Sequence, residues 1–156
     1  MRRFFYALGV LALVVIVVAG VGVGVAFYKG SRLDAESRAF VDGAVPAITA
    51  HWNKEQLRKR ASPQLLQSLK PGQLTALFAM FSRLGPLIEY EGAKGQARMF
   101  YKIGSGGTVS ASYVAKARYR NGSAAIKILL IEQGRDWLIQ GFHIDLPPSL
   151  YTGRGA

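Results

Sequence analysis

The sequence predicts an α+β domain carried behind a single apolar N-terminal helix, and three observations predict it. Residues Phe4 to Tyr28 form 25 consecutive positions without a charge. Between Asp34 and Leu84 the apolar residues recur at helical spacing, punctuated by Ser, Pro and Gly. From Leu87 onward the spacing changes to two. Helices first and strands afterwards place helices on one face of a curved antiparallel sheet of four to five strands.

The first element is the apolar run. A membrane helix needs about 20 mostly apolar residues, so Phe4–Tyr28 is long enough to cross a bilayer. It is preceded by Arg2-Arg3 and closed by Lys29. The alternative is a cleaved signal peptide, whose apolar centre spans about 7–15 residues; this run is longer, which favours an uncleaved anchor. Few basic residues differ between its flanks, and a three-residue tail left inside as a signal anchor puts the following domain outside. The expected organisation is a cytoplasmic stub and membrane helix over 1–29, a short linker over 30–33 opened by Gly30-Ser31, a domain over 34–146, and a flexible tail over 147–156. Gly20 and Gly24 have the small-xxx-small spacing that lets membrane helices pack closely; glycine is also simply frequent in such helices.

The helical section follows. Leu33, Phe40, Val41, Ala44, Val45 and Ile48 make an amphipathic stripe, with Pro46 expected to kink or split it. Trp52 reads as core or as an interfacial anchor. Asn53 to Arg60 is a basic helical stretch, a solvated face or a headgroup contact. Ser62-Pro63 is an N-cap followed by proline at the first helical position. Pro71 repeats that signal before the apolar stripe Leu74, Leu77, Phe78, Phe81 and Leu84, and Gly85-Pro86 ends it.

The strands come last. Leu87 to Glu91 reads as a short first strand and Gln96 to Ile103 as a second. Thr108 to Arg120 alternates most clearly, with Val109, Ala111, Tyr113, Ala115, Ala117 and Tyr119 on one face. Asn121-Gly122 is a two-residue hairpin signal. It leads to a strand with Ala124, Ile126, Ile128 and Leu130 inward. Gln133-Gly134-Arg135 turns into the closing strand, where Gly141 signals a bulge.

Composition narrows the chemistry. The 156 residues contain no cysteine, which removes disulfides, thiolate metal sites and cysteine nucleophiles. His51 and His143 are far apart, and there is no nucleophile elbow, phosphate loop or metal-ligand spacing. His143 and Asp145 share one strand face by spacing, without further partners to make a catalytic set. No catalytic, cofactor or metal residues are assigned. The net charge is +11, and from Asp34 onward 16 basic residues face nine acidic ones. Arg98, Lys102, Lys116, Arg118, Arg120 and Lys127 are expected on the outer sheet face, with Phe100, Val114, Leu129 and Ile131 among them. Such a face can be merely solvated, can dock an acidic protein or anionic lipid, or can stack single-stranded nucleic acid; an extracytoplasmic tether argues against the last.

The closing strand, Gly134-Arg-Asp-Trp137-Leu-Ile139-Gln-Gly-Phe142-His-Ile144, behind a helical section and a long meander, resembles the nuclear-transport-factor-like, cystatin-related α+β cone. The resemblance covers roughly Asp34 to Leu146 and rests on packing positions. It implies a small bacterial-type extracytoplasmic domain behind one inner-membrane helix, with the N-terminus cytoplasmic. The function expected from it is an accessory, scaffold or assembly subunit of a membrane or envelope complex, meeting lipid and either a membrane-protein complex or copies of itself. The alternative it also implies is a membrane-anchored small-ligand binder or isomerase-like enzyme using the cone interior.

Overall fold

The computed structural model describes the backbone of residues 2–102, 104 and 106–151, and their side chains except those of 2–14, 22–28, 101, 102, 149 and 151. The chain divides into two units, Met1–Leu33 and Asp34–Ala156. The elements are α1 (Arg2–Thr49), α2 (Lys54–Arg60), α3 (Pro63–Ser68), α4 (Gln73–Phe81), a 3-10 turn (Ser82–Leu84), β1 (Leu87–Lys102), β2 (Gly106–Tyr119), β3 (Gly122–Gln133), β4 (Asp136–Asp145) and α5 (Pro148–Tyr151). The strands form one antiparallel sheet in the order β1-β2-β3-β4. The fold class is thus α+β, with four strands.

In the first unit, all described residues belong to α1. The run expected to cross a membrane lies in it, but only residues 15–21 have described side chains, so that expectation falls outside the described residues. Among the described residues, no helix is long and apolar enough to cross a membrane. Gly30-Ser31 does not break the helix, and neither does Pro46. Pro46 lies in the last turn and forfeits only the bond to the carbonyl of Asp42, a residue exposed to water.

In the second unit, Ser37, Val41, Ala44, Val45, Ile48 and Thr49 form the buried stripe of α1. Facing it are the inward residues of the sheet, among them Tyr113, Ala115, Ala117, Tyr119, Ile126, Ile128, Leu130 and Ile139, all with at most 1% of their surface exposed. Strict alternation along β2 and β3 produces this one-sided burial, because successive side chains leave opposite faces. Each buried branched or aromatic side chain contributes about 1.5–3 kcal/mol.

The helix starts follow their capping residues. Asn53 accepts from the amide of Glu55 at 3.0 Å, and Ser62 Oγ accepts from the amide of Leu65 at 3.1 Å. Ser62 also binds β4: its amide donates to Ile139 O at 2.8 Å and its hydroxyl to Gln140 Oε1 at 2.6 Å. That second bond is available because Gln140 is the extra residue of a bulge between Ile139 and Gly141, the distortion that Gly141 signals in the sequence. The free edge of β4 is therefore partly covered by the α2–α3 junction. Trp52 belongs to the core side: its Nε1 donates to Gly85 O at 2.8 Å, and its ring lies 5.1 Å from that of Tyr119.

Two strand expectations change. Leu87–Glu91 and Gln96 onward are one strand, since Gly92 to Gly95 continue the ladder with β2. Ile88 and Glu91 are extra residues in it, and each resets the alternation. The hairpin between β2 and β3 turns on Arg120-Asn121, with Gly122 already paired to Tyr119. Asn121 is held there from outside the hairpin: its amide donates to Leu84 O and its side chain to Arg83 O.

Candidate functional site

The two faces of the sheet differ in chemistry. The inner face is packed, and the buried polar residues against it, among the described residues, are Ser37 and Thr49 on α1 and Ser62 at the start of α3. Tyr113 OH lies 2.8 Å from Ser37 Oγ and donates to Asp34 O at 3.1 Å, while Asp34 Oδ1 accepts from the amide of Ala97 at 2.6 Å. These bonds fasten the second-unit part of α1 to β1 and β2. Tyr90 OH adds a fourth, to Asp42 Oδ1 at 2.8 Å; burial first, and this bond second, push its phenol up. Among the described residues, Tyr119 OH and Trp137 Nε1 are buried with no partner at good hydrogen-bond geometry, though the Thr49 hydroxyl is near enough to Tyr119 OH to act on its phenol. Burial pushes the Tyr119 phenol up, and the Thr49 hydroxyl opposes this in part. No Asp or Glu is buried among the described residues, so the interior offers phenols and hydroxyls but no carboxylate base.

The outer face is open. Across β1, β2 and β3 it holds a depression of about 650 Å³, lined by Lys94, Gln96, Arg98, Phe100, Ser110, Ser112, Val114 and Leu129, with the backbone of Gly95. Gly95 is required there: a Cβ would collide with the carbonyl oxygen of Ser112 and lie 2.7 Å from Tyr113 Cα. Phe100, Leu129 and Val114 keep 56%, 44% and 38% of their surface exposed. A second depression of about 280 Å³ adjoins it on the same face, between Val114, Lys127, Leu129, Gly141 and His143.

Register sets the charges around this apolar floor. Lys94 stands opposite Val114 from β1, and Lys127 stands opposite it from β3. Arg98 faces Ser110, and with the Gln96 amide turned so that its oxygen faces the guanidinium, Arg98 donates to that oxygen at 2.7 and 3.0 Å. The acids of the face are engaged. Glu89 pairs with Arg118, and Asp145 pairs with Lys127 at 2.9 Å and with His143 at 3.0 Å. The hydrogen bond from Lys127 holds the Asp145 carboxyl below the usual carboxylate range, with His143 adding to it. Lys94, Arg98 and Lys116 have no carboxylate partner among the described residues.

The expected basic face is thus brought together in part. Arg98 borders the first depression and Lys127 the second. Lys116 lies on the same face, opposite Gly92 and Ala125, outside both, and Arg118 shares the face but is neutralised by Glu89. Arg120 lies in the β2–β3 turn, beside Gly85. The side chain of Lys102 lies outside the described residues. Lys94 is the residue that sequence reasoning misses; its parity with Gln96, Arg98 and Phe100 is the signal that could have found it. Of the helix-packing glycines, Gly20 has open space where a side chain would project, and the surroundings of Gly24 lie outside the described residues. His51 and His143 are both exposed. Among the described residues, no group of three or more His, Cys, Asp and Glu could hold a metal ion.

Comparison with protein-family models, with curated proteins and with solved structures gives no match.

Proposed function

We propose that this protein is a single-pass membrane protein whose extracytoplasmic domain serves as an interaction or accessory subunit of a membrane complex, meeting its partner through the outer sheet face. One observation carries the reading: an unfilled apolar depression, bordered by Lys94 and Arg98, which have no carboxylate partner among the described residues, on a sheet whose other face is already packed. Single exposed apolar residues are ordinary, but a contiguous set with a polar border marks an interaction surface.

The membrane part is supported by the uncharged run Phe4–Tyr28. Within it, Val15, Ile16, Val17, Val18 and Val21 are each more than half exposed, a arrangement that water disfavours and lipid accommodates. The extracytoplasmic placement and the nuclear-transport-factor-like cone rest on the flanking charges and the closing-strand pattern. The interior reading, a ligand binder or isomerase-like enzyme, draws less support, because the inner face carries packed side chains and no buried carboxylate among the described residues.

The test is purification of the full-length protein from membranes in mild detergent, beside an Arg98→Glu, Lys116→Glu variant. The expected result is a complex that the variant loses while remaining membrane-bound and folded. A lone monomer in both cases would end the accessory-subunit reading.

A further inference from the structure

We infer that the outer-face depression is a docking groove for an extended acidic segment of a partner protein, with two carboxylates spaced to reach Lys94 and Arg98 and an apolar side chain between them. This rests on the interaction reading above and names the occupant of that surface.

The spacing comes from β1. Lys94 and Arg98 are four residues apart on one face of a strand, about 13 Å at roughly 3.3 Å per residue. A second extended chain running alongside presents side chains at positions one and five with the same separation, and its third side chain points the same way. That middle side chain falls over the Gln96–Ser112–Leu129 row, flanked by Val114 in the Lys94 row, with Phe100 at the end of the groove. Ser110 and Ser112 lie along the same floor and offer hydroxyls to the polar groups of the incoming chain.

Charge selects the occupant. Glu89 and Asp145 on this face are held by Arg118, Lys127 and His143, so these two acids do not compete with an incoming carboxylate for Lys94 and Arg98. With the Gln96 amide turned so that its oxygen faces Arg98, it takes Nε and Nη2 of the guanidinium and leaves the Nη1 edge for an incoming carboxylate. A second copy of this chain is a poor occupant, because its net charge of +11 repels its twin. A lipid headgroup satisfies the cations but leaves the spacing of Lys94 and Arg98 and the apolar floor between them unused.

The test uses the full chain in phosphatidylcholine nanodiscs and a labelled, capped peptide with two glutamates four residues apart, leucine midway and threonines between. Fluorescence anisotropy should show saturable binding that weakens with salt. It should fall about tenfold or more for Lys94→Glu, Arg98→Glu, and similarly for a peptide of the same composition with its glutamates adjacent. A Val114→Ser variant, which leaves every charge in place, should weaken binding of the leucine peptide but not of one with serine in its place. Circular dichroism of each variant shows that it is folded.

Absence of saturable binding to the wild-type protein overturns the proposal. So does indifference to glutamate spacing, or capture of phosphatidylglycerol vesicles through Lys94 and Arg98 in place of the peptide. Should a partner co-purify through this face and the peptide fail to compete with it, the inference falls while the interaction reading stands.

Discussion

Two tyrosines on the same strand face show how much a single hydroxyl can decide. Tyr113 OH is engaged by Ser37 and by the carbonyl of Asp34, whereas Tyr119 OH is buried with no partner at good hydrogen-bond geometry among the described residues, the Thr49 hydroxyl being its nearest influence. Removing a bonded hydroxyl strands its buried partners and costs about 1–2 kcal/mol; removing an orphan relieves a desolvation cost. Tyr113→Phe should therefore lower the urea midpoint, and Tyr119→Phe should leave it unchanged or raise it. Equal losses from both would contradict the hydrogen-bond assignment. The pH dependence separates them further. A raised phenol means that the folded state keeps its proton longer than the unfolded chain. Stability from this source is present below the ordinary tyrosine value, about 10, and is lost as pH rises beyond it. Tyr119→Phe should flatten that alkaline decline in urea titrations repeated above pH 10.

At the scale of elements, the close approach of β1 to β2 at Gly95 is the most demanding feature of the sheet. A Cβ there meets backbone on β2 rather than the end of a flexible side chain, so the strands must separate to admit it. Gly95→Ala should destabilise the domain by about 1–3 kcal/mol, the usual cost of overpacking, as read by chemical denaturation; a neutral effect would mean that the strands are not so closely apposed.

The same strand shows what the sequence could and could not disclose. Ser62 and Gly85 are legible as helix punctuation because capping chemistry is local, while the cap made by Asn53 is seen only in the structure. β2 from Ala111 to Tyr119 and β3 from Ala124 to Leu130 are legible because every second residue there is buried. β1 was split in two on paper because Ile88 and Glu91 each shift the alternation and Gly92 and Gly95 carry no pattern. Lys94 disappeared into that gap. Of the site, Arg98, Lys116 and Lys127 could be read from alternation alone. The neutralisation of Arg118 by Glu89 could not, since it joins residues 29 positions apart across two strands, and neither could the displacement of Arg120 by the offset hairpin.

For the whole molecule, the proposed function sets a membrane anchor ahead of a domain that packs one sheet face and leaves the other available. The packed face takes the second-unit part of α1 through the Asp34, Ser37, Tyr113 and Ala97 bonds. The available face carries the apolar floor and its unpaired cations. That division predicts where a partner touches the chain. Leu129 is exposed on the outer face, and Ile128 beside it in sequence is buried on the inner one. A photo-crosslinking phenylalanine analogue placed at Leu129 in the membrane-bound protein should give a discrete crosslinked species, lost when Lys94→Glu and Arg98→Glu are added. The same analogue at the exposed His51 should give none. Crosslinking that is absent at Leu129, or that is equal at Leu129 and His51 and indifferent to the charge reversals, would contradict the account.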